Sequence, residues 1–117
     1  MKYLLPFGTH GIRGSAQTAP FTPEHLFALA MAVELLLETK ALPKTILFGA
    51  DTRESSPRIK THLMAGFSQS TQILDALIIP TPSLIKTLNN NSFIGCGIMI
   101  TASHNPAHDN GLKFFLQ

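Results

Sequence analysis

The stretch "TILFGADTRESSPRIKTHLMAGFSQSTQILDALIIP", residues 45–80, decides the fold. Its first part, residues 45–51, is short, apolar and partly β-branched and stops at a polar turn, which predicts a buried strand. Residues 56–70 then place apolar side chains at helical spacing, and residues 72–80 return to strand character. A strand, a helix and a second strand in this order predict a parallel pair joined by a crossover helix.

The same alternation continues on both sides of this unit. Residues 23–39 predict a helix, because Thr22 is a suitable N-cap, a proline occupies the first helical position and strong helix formers follow. Residues 81–90 predict a short helix that again begins beside a proline. Two more apolar segments, 93–101 and 111–116, predict a buried strand and a final strand.

These elements predict one domain over residues 1–117, of the α/β class, with a three-layer α/β/α architecture. Its sheet is expected to be mixed but mostly parallel, with about four strands and with helices on both faces. Only 14% of the residues are charged, compared with about 25% in average proteins. This composition predicts an apolar flank that a neighbour covers.

Charge and hydropathy exclude several classes of protein. The longest apolar runs are interrupted well short of the roughly 18 residues that a membrane helix needs, and Pro6 and Gly8 interrupt the N-terminal run before it reaches the length of a signal-peptide core. The net charge of +2 is scattered, which predicts no nucleic-acid partner. The single cysteine, Cys96, lies in an apolar run and fits a reducing compartment, so we predict a cytoplasmic protein with no membrane partner.

Three polar turns follow predicted strands. They are "GADTR" at 49–53, "PTPS" at 80–83 and "TASHNP" at 101–106. Ligands of parallel α/β sheets bind at the carboxyl ends of the strands. We therefore expect the three turns to meet at one edge of the sheet and to form the functional site there.

The turn at 101–106 contains a candidate nucleophile. Ser103 is followed by His104, Asn105 and Pro106, which favour a turn that displays the hydroxyl. A turn serine that hydrogen-bonds its own backbone has the same local sequence, so the residues leave both interpretations open. His104 could act on the serine or be a structural hydrogen-bonding residue. Its position next to Ser103 does not imply a serine–histidine dyad, because adjacent side chains usually diverge.

Three further features suit an anionic ligand. In "FGTHGIRG", residues 7–14, glycines let the backbone approach a ligand and Arg13 offers a planar donor fork, although a plain turn is equally compatible. Lys113 is either a phosphate ligand or a solvated surface lysine. Asp51 and Arg53 could form a simple salt-bridged turn. No group of histidines or carboxylates has the spacing of a complete metal site.

A resemblance to a known family joins these features. "GIMITASHNPAHDNGLKFF", residues 97–115, closely resembles the active-serine loop of the α-D-phosphohexomutase superfamily. "FGTHGIRG", "GADTRESS" and "PTPS" resemble the other signatures of its first domain, in their usual order. The resemblance spans residues 7–115, and the Gly-Ile-Arg-Gly form is most similar to the phosphoglucosamine mutase branch, with bacterial phosphoglucomutase/phosphomannomutase as near relatives.

The resemblance implies a phosphohexose mutase, an isomerase of carbohydrate metabolism. A phosphoserine at Ser103 would exchange phosphate with a hexose or hexosamine phosphate, moving it between the 6- and 1-positions through a bisphosphate intermediate. A sugar 1,6-bisphosphate would act as activator. Mg²⁺ would bind Ser103 through its phosphate, with its other ligands in another domain of the family enzymes.

The resemblance also implies roles for the neighbouring residues. Arg13 and Lys113 would flank the transferring phosphate, with Lys113 handling a proton at the sugar hydroxyl. His104 would help to position the phosphoserine or the substrate. Asn105 would bind near the phosphate and, like Asn110, hold the shape of the loop. Gly111 would supply unusual backbone angles, and Arg53 would support the edge of the sheet through Asp51.

Two departures from the family pattern limit these expectations. His10 stands where the family usually has aspartate, and the match covers one of the family's four domains. We therefore expect this chain alone not to catalyse the full mutase reaction, with the remaining mutase domains as partners and self-association as another way to cover the interdomain face. The alternatives are the first domain of a phosphoglucomutase/phosphomannomutase, a sugar-phosphate-binding module without turnover, and an assembly domain that uses the exposed flank alone.

Overall fold

The computed structural model describes residues 11–19, 21–102 and 105–117. Three helices and five strands alternate along these segments. In chain order they are β1 (Ile12–Ser15), α1 (Pro23–Thr39), β2 (Thr45–Ala50), α2 (Ser56–Ala65), β3 (Gln72–Ile78), α3 (Thr81–Asn90), β4 (Cys96–Ile100) and β5 (Asp109–Leu116). Within these segments, no helix has the length and the apolar composition that crossing a membrane requires.

The five strands form a single mixed sheet in the order β1-β5-β4-β2-β3. Strand β2 pairs in parallel with both β3 and β4. Strand β5 runs antiparallel to its two neighbours, β4 and β1. All the strands except β5 therefore run in the same direction, which confirms the mostly parallel sheet predicted from the sequence.

Helices cover both faces of the sheet, as predicted. Helices α1 and α2 share one core cluster with the apolar side chains of β2, β4 and β5, including the fully buried Phe48 and Ile98. Helix α3 packs Leu84 and Leu88 against Leu47 on the opposite face. All six residues of β2 are buried, because this central strand has neighbours on both sides and layers above and below.

The sheet differs from the prediction by one strand. Residues 12–14 were expected to belong to the glycine-rich loop at 7–14, but Ile12–Ser15 form β1 and pair antiparallel with β5. Four residues that include a glycine carry too little apolar alternation to predict a strand, so the pairing with β5 decides their structure. Strand β3 lies at the other edge of the sheet and is half exposed.

Helix α1 begins as its sequence predicts. The Thr22 hydroxyl accepts a hydrogen bond from the backbone N–H of His25 at 3.4 Å, and proline follows the cap. The helix leaves three large apolar side chains exposed by 43–48%, one per turn: Phe27, Met31 and Leu35. These three residues, here called the apolar stripe, form one continuous exposed row, because residues four apart lie on the same helix face.

Glu34 ties α1 to the turn before β3. Its Oε2 accepts hydrogen bonds from the Ser68 backbone N–H at 2.9 Å, from the Ser68 hydroxyl at 2.8 Å and from the Thr71 hydroxyl. Burial raises the pKa of Glu34, but the hydrogen bonds from Thr71 and Ser68 outweigh this effect and hold the pKa below its usual range. The ionised carboxylate is therefore the form that stabilises this contact.

We expect Glu34→Gln to lower the free energy of unfolding by about 0.5–1 kcal/mol at pH 7. This loss is smaller than that of a fully buried charged hydrogen bond, because solvent screens the partly exposed Glu34 carboxylate. A depressed folded-state pKa stabilises the fold above the unfolded-state pKa, and this contribution is lost as the pH falls through the folded-state pKa. Urea unfolding at pH 7 and at about pH 3 measures the difference between the two proteins, which should shrink at the lower pH.

Glu38→Gln, one turn further along α1, is the matched control. The Glu38 carboxylate pairs with Lys44 at 2.6 Å but is 55% exposed, so its replacement should change stability little. Equal losses in the two variants, or a Glu34→Gln loss that is the same at both pH values, would contradict the prediction.

Candidate functional site

Two of the three predicted turns meet at the carboxyl ends of β2 and β4. The Asp51 backbone N–H donates to the Ile100 carbonyl at 3.1 Å, and the Thr101 hydroxyl donates to Asp51 Oδ2 at 2.6 Å. The third turn, at 80–83, begins α3 at the same edge but makes no hydrogen bond to the other two within the described segments. The parallel order of β3, β2 and β4 explains this convergence.

Residues 101–110, here called the serine loop, follow β4 and include the first two residues of β5. The predicted nucleophile Ser103 and its neighbour His104 lie outside the described residues, as does His10. The residues that flank the pair are described: the Asn105 backbone N–H donates to the Ala102 carbonyl at 3.1 Å. This bond brings together the two points at which the chain enters and leaves the Ser103–His104 pair.

Asn105 joins the serine loop to β1. Its Oδ1 accepts a hydrogen bond from Arg13 Nη1 at 3.3 Å, and its Nδ2 donates to Asp109 Oδ2 at 3.2 Å. Arg13 Nε is buried and has no hydrogen-bond partner among the described residues. A buried guanidinium N–H without a partner is costly, so Arg13 Nε is a polar atom that the described residues leave unsatisfied.

The pleat of the sheet places Lys113 on the same face as Arg13. Leu112 and Phe114 pack into the core on the α1 and α2 side, so Lys113 between them faces the opposite side. Ile12 also belongs to the α1 and α2 core, which turns the adjacent Arg13 to the side of Lys113. The two predicted cations therefore share one face of neighbouring strands.

Asn110 connects the beginning of β5 to the beginning of α2. It is fully buried, and its Nδ2 donates to the hydroxyls of Ser55 at 2.8 Å and Ser56 at 3.0 Å. Its Oδ1 accepts from the Gly111 backbone N–H at 2.8 Å. Holding the end of the loop was the role expected of Asn110, and these contacts provide it.

The prediction that Gly111 supplies unusual backbone angles was wrong. Gly111 has no positive φ; among the described glycines only Gly11 does, at 75°. Glycine is required at position 111 for space, because a Cβ would lie 2.5 Å from the Thr101 carbonyl oxygen and 2.6 Å from that of Ile12. A side chain there would push β1 away from the serine loop.

The Asp51 carboxylate accepts hydrogen bonds from three parts of the chain: the turn after β2, the residue after β4 and the start of α2. It accepts from the Arg53 backbone N–H and Nε, each at 3.1 Å, and from the hydroxyls of Thr101 at 2.6 Å and Ser56 at 3.4 Å. The sequence predicts the ion pair within 51–53, but it does not reveal Thr101 as a partner. The only signal for Thr101 is its position at the end of a strand parallel to β2.

An open cleft of about 680 Å³ lies beside the serine loop and is lined by Asp51, Thr52, Arg53, Glu54, Asn105, Ala107 and His108. Burial raises the pKa of the Cys96 thiol to about 12, and Cys96 does not line the cleft. Within the described segments, no three His, Cys, Asp or Glu side chains come close enough to hold a metal ion. Asp51 Oδ2 already accepts hydrogen bonds from Arg53 and Thr101, so the described residues of the cleft do not by themselves form a magnesium site.

Comparison with known proteins places the whole fold in one family. Residues 5–117 match the family model described as phosphoglucomutase/phosphomannomutase, alpha/beta/alpha domain I. The chain is 39% identical over 112 residues to phosphoglucosamine mutase of Brucella ovis and 40% identical over 113 residues to phosphoglucosamine mutase of Thermus thermophilus, with 93% of this chain covered in each case.

A solved structure supports the same fold. A phosphoglucomutase/phosphomannomutase family protein from Burkholderia thailandensis superposes with a TM-score of 0.75, at 22% identity, over 92% of this chain and 25% of that one. The matched phosphoglucosamine mutases are also much longer, and the chain spans about a quarter of their length, 24% and 25%.

Proposed function

The chain belongs to the phosphoglucomutase/phosphomannomutase family as its α/β/α domain I, and we propose that it is the phosphoserine-bearing domain of a phosphohexose mutase. Phosphoglucosamine mutase is the proposed branch, because relatives of that name share 39–40% of the residues. The observation that carries the proposal is the serine loop at the carboxyl ends of β2 and β4, with the guanidinium of Arg13 hydrogen-bonded to Asn105, two residues after Ser103 in the sequence.

In the proposed reaction a sugar bisphosphate and Ser103 exchange a phosphoryl group. The bond from Ser103 Oγ to phosphorus forms as the bond from phosphorus to the sugar oxygen breaks, and the serine proton passes to that oxygen. The reverse step returns the phosphoryl group to the other position of the sugar, after the bisphosphate has reoriented. Such transfers depend mainly on positioning and on neutralising charge.

Arg13 and Lys113 are the proposed phosphate-binding residues. Both cations lie on one face of β1 and β5, so both contribute positive charge on the same side of the sheet. Lys113 is also the proposed carrier of the proton at the sugar hydroxyl. Asn105 orients Arg13 through its Oδ1 and is proposed to contribute to phosphate binding, whereas His104 is proposed to position the phosphoserine.

Mg²⁺ is the proposed metal ion of the full mutase. The described residues do not form a metal site, so its proposed link to this domain is the phosphate on Ser103. When bound, the ion would neutralise charge on the phosphoryl group. A sugar 1,6-bisphosphate is proposed as the activator that phosphorylates the serine.

The apolar stripe on α1 is the proposed contact surface for the rest of the mutase. Phe27, Met31 and Leu35 are each exposed by more than 40%, and a row of this kind is typical of an interface. The relatives extend well beyond the length of this chain, so we propose further mutase domains as the partner. A second copy of this chain is the alternative partner for the apolar stripe. We also propose a cytoplasmic location for the enzyme.

Labelling with a sugar bisphosphate tests the proposal. The chain is incubated with radiolabelled glucosamine 1,6-bisphosphate or glucose 1,6-bisphosphate, and the labelled peptide is identified by mass spectrometry. We expect label on Ser103 in the wild type and none in Ser103→Ala. Ser92→Ala, at an exposed serine distant in sequence from the loop, is the matched control and should be labelled like the wild type.

The two sugars distinguish the branches. Faster labelling by the glucosamine compound supports phosphoglucosamine mutase, and faster labelling by the glucose compound supports the phosphoglucomutase/phosphomannomutase alternative. No label in the wild type, or equal label in Ser103→Ala, would refute Ser103 as the phosphate carrier of this chain.

A further inference from the structure

Arg53 binds the returning half of the serine loop. It lies in the turn that follows β2, and its Nη1 donates to the backbone carbonyl of Pro106 at 2.7 Å and to that of Asp109 at 3.3 Å. Both acceptors are main-chain atoms, so the contact fixes the path of the loop rather than the conformation of one side chain. The Arg53 side chain is 11% exposed, so solvent competes weakly for these bonds.

Asp51 binds the outgoing half of the same loop. Its Oδ2 accepts from the Thr101 hydroxyl at 2.6 Å and from Arg53 Nε at 3.1 Å. The Asp51–Arg53 pair therefore contacts the loop on both sides of Ser103, at Thr101 and at Pro106. Charged hydrogen bonds are stronger than neutral ones, and a planar guanidinium can serve the carboxylate and the carbonyls at once.

The pair itself is attached to the buried interior of the sheet. Asp51 directly follows β2, whose six residues are all buried, and its backbone N–H donates to the Ile100 carbonyl of β4. Movement of the Arg53 guanidinium relative to β2 and β4 is thus restricted. A loop fixed to this pair keeps a constant position relative to the strands that carry Arg13 and Lys113, since β5 pairs with both β4 and β1.

We propose that Arg53, held by Asp51, is a positioning residue for phosphoryl transfer: by fixing Pro106 and Asp109 relative to β2 and β4, it favours transfer to Ser103. This inference rests on the proposed function, in which the bond from Ser103 Oγ to phosphorus forms while the bond to the sugar oxygen breaks and that oxygen receives the serine proton. Arg53 itself neither accepts the phosphoryl group nor moves the proton. Its removal should slow the transfer step and leave sugar binding largely unchanged.

Two measurements on the 117-residue chain test the inference. Amide hydrogen exchange compares the loop amides of Thr101, Asn105 and Asp109, all of which are hydrogen-bonded, with the core amides of β2. In Arg53→Ala the loop amides should exchange about tenfold faster and the core amides at the wild-type rate. The rate of Ser103 labelling at saturating bisphosphate should fall by about 10²-fold, the loss typical of misplaced reacting groups, with little change in the half-saturating concentration.

Lys60→Ala is the matched control. Lys60 forms an ion pair with Asp75 at 2.7 Å, and the two side chains are 18% and 30% exposed, close to the 11% and 30% of Arg53 and Asp51. It makes no contact with the serine loop among its described hydrogen bonds, so its removal should alter neither loop exchange nor labelling. Arg53→Lys, which keeps the charge but not the fork, should recover part of the labelling rate.

The outcomes separate this inference from the proposed function. Unchanged loop exchange in Arg53→Ala, or faster exchange with an unchanged labelling rate, overturns the positioning role. An equal loss of labelling in Lys60→Ala also overturns it, because the effect would then come from general destabilisation. Faster loop exchange in Arg53→Ala, together with a wild-type chain that takes no label, overturns the proposed function and its transfer step, and leaves Arg53 as a structural contact of the loop.

Discussion

Replacing Gly111 with alanine is expected to lower the free energy of unfolding by about 3 kcal/mol, near the upper end of the usual cost of overfilling a packed interior. The new Cβ would lie 2.5 Å from the Thr101 carbonyl oxygen and 2.6 Å from that of Ile12, with Arg13 Cγ at 3.1 Å. Both oxygens belong to backbone beside β5, so neither can rotate away as a side chain would. Relief requires β1 and the start of the serine loop to move apart.

Denaturant unfolding followed by circular dichroism measures this loss, since the chain contains no tryptophan. Gly14→Ala is the matched control on the neighbouring strand β1. A Cβ at Gly14 would meet only the Phe21 ring, at 3.9 Å, which is an ordinary contact. A Gly111→Ala protein as stable as the wild type, or losses that are equal at the two positions, would show that spacing between the strands does not select glycine at 111.

The helices show how far local sequence signals reach. Helices α1 and α3 have the bounds predicted from their prolines and from the Thr22 cap, because a helix start depends on a few adjacent residues. Helix α2 was predicted to reach residue 70 but ends at Ala65. Phe67 has helical spacing, yet it packs edge-on against Phe48 from beyond the helix, with ring centres 6.1 Å apart.

Gly66 follows the last residue of α2 and lies close to α1. A Cβ at Gly66 would lie 2.7 Å from that of Ala30 and 2.8 Å from the Phe27 carbonyl oxygen. The glycine therefore allows the end of α2 to approach α1 closely. Such an approach depends on two helices that are distant in the sequence, and no local pattern predicts it.

The candidate site also combines features that the sequence predicts with features that it does not predict. Convergence of the turns at 49–53 and 101–106 follows from the order of strands and helices, and the sequence predicts it. The shared face of Arg13 and Lys113 depends on β1 pairing with β5, and a four-residue strand gives no signal of that pairing. The bonds from Arg53 to two loop carbonyls depend on the path of the loop, which residue types alone do not determine.

Asn110 is the residue whose truncation should affect the base of the serine loop most. We expect Asn110→Ala to lower the free energy of unfolding by about 2–3 kcal/mol, because it removes three hydrogen bonds inside the protein. The Gly111 N–H, at 2.8 Å in the wild type, loses this acceptor, and the hydroxyl of Ser56, a residue that is 1% exposed, keeps only its 3.4 Å bond to Asp51 and the loss of its Asn110 partner is not repaired by water. Water cannot easily replace an amide that is itself fully buried.

The expected loss of stability is large because Asn110 is buried, not because it is an asparagine. Asn89→Ala, at an exposed position on α3, provides the comparison, because water already satisfies that amide and its loss should change stability by no more than about 0.5 kcal/mol. Both variants are measured by denaturant unfolding at the same pH. Equal stabilities would contradict the prediction and would mean that α2 and β5 remain joined without the Asn110 amide. A selective loss in Asn110→Ala would instead show that the end of the serine loop depends on α2 for its position, just as the middle of the loop is bound by Arg53.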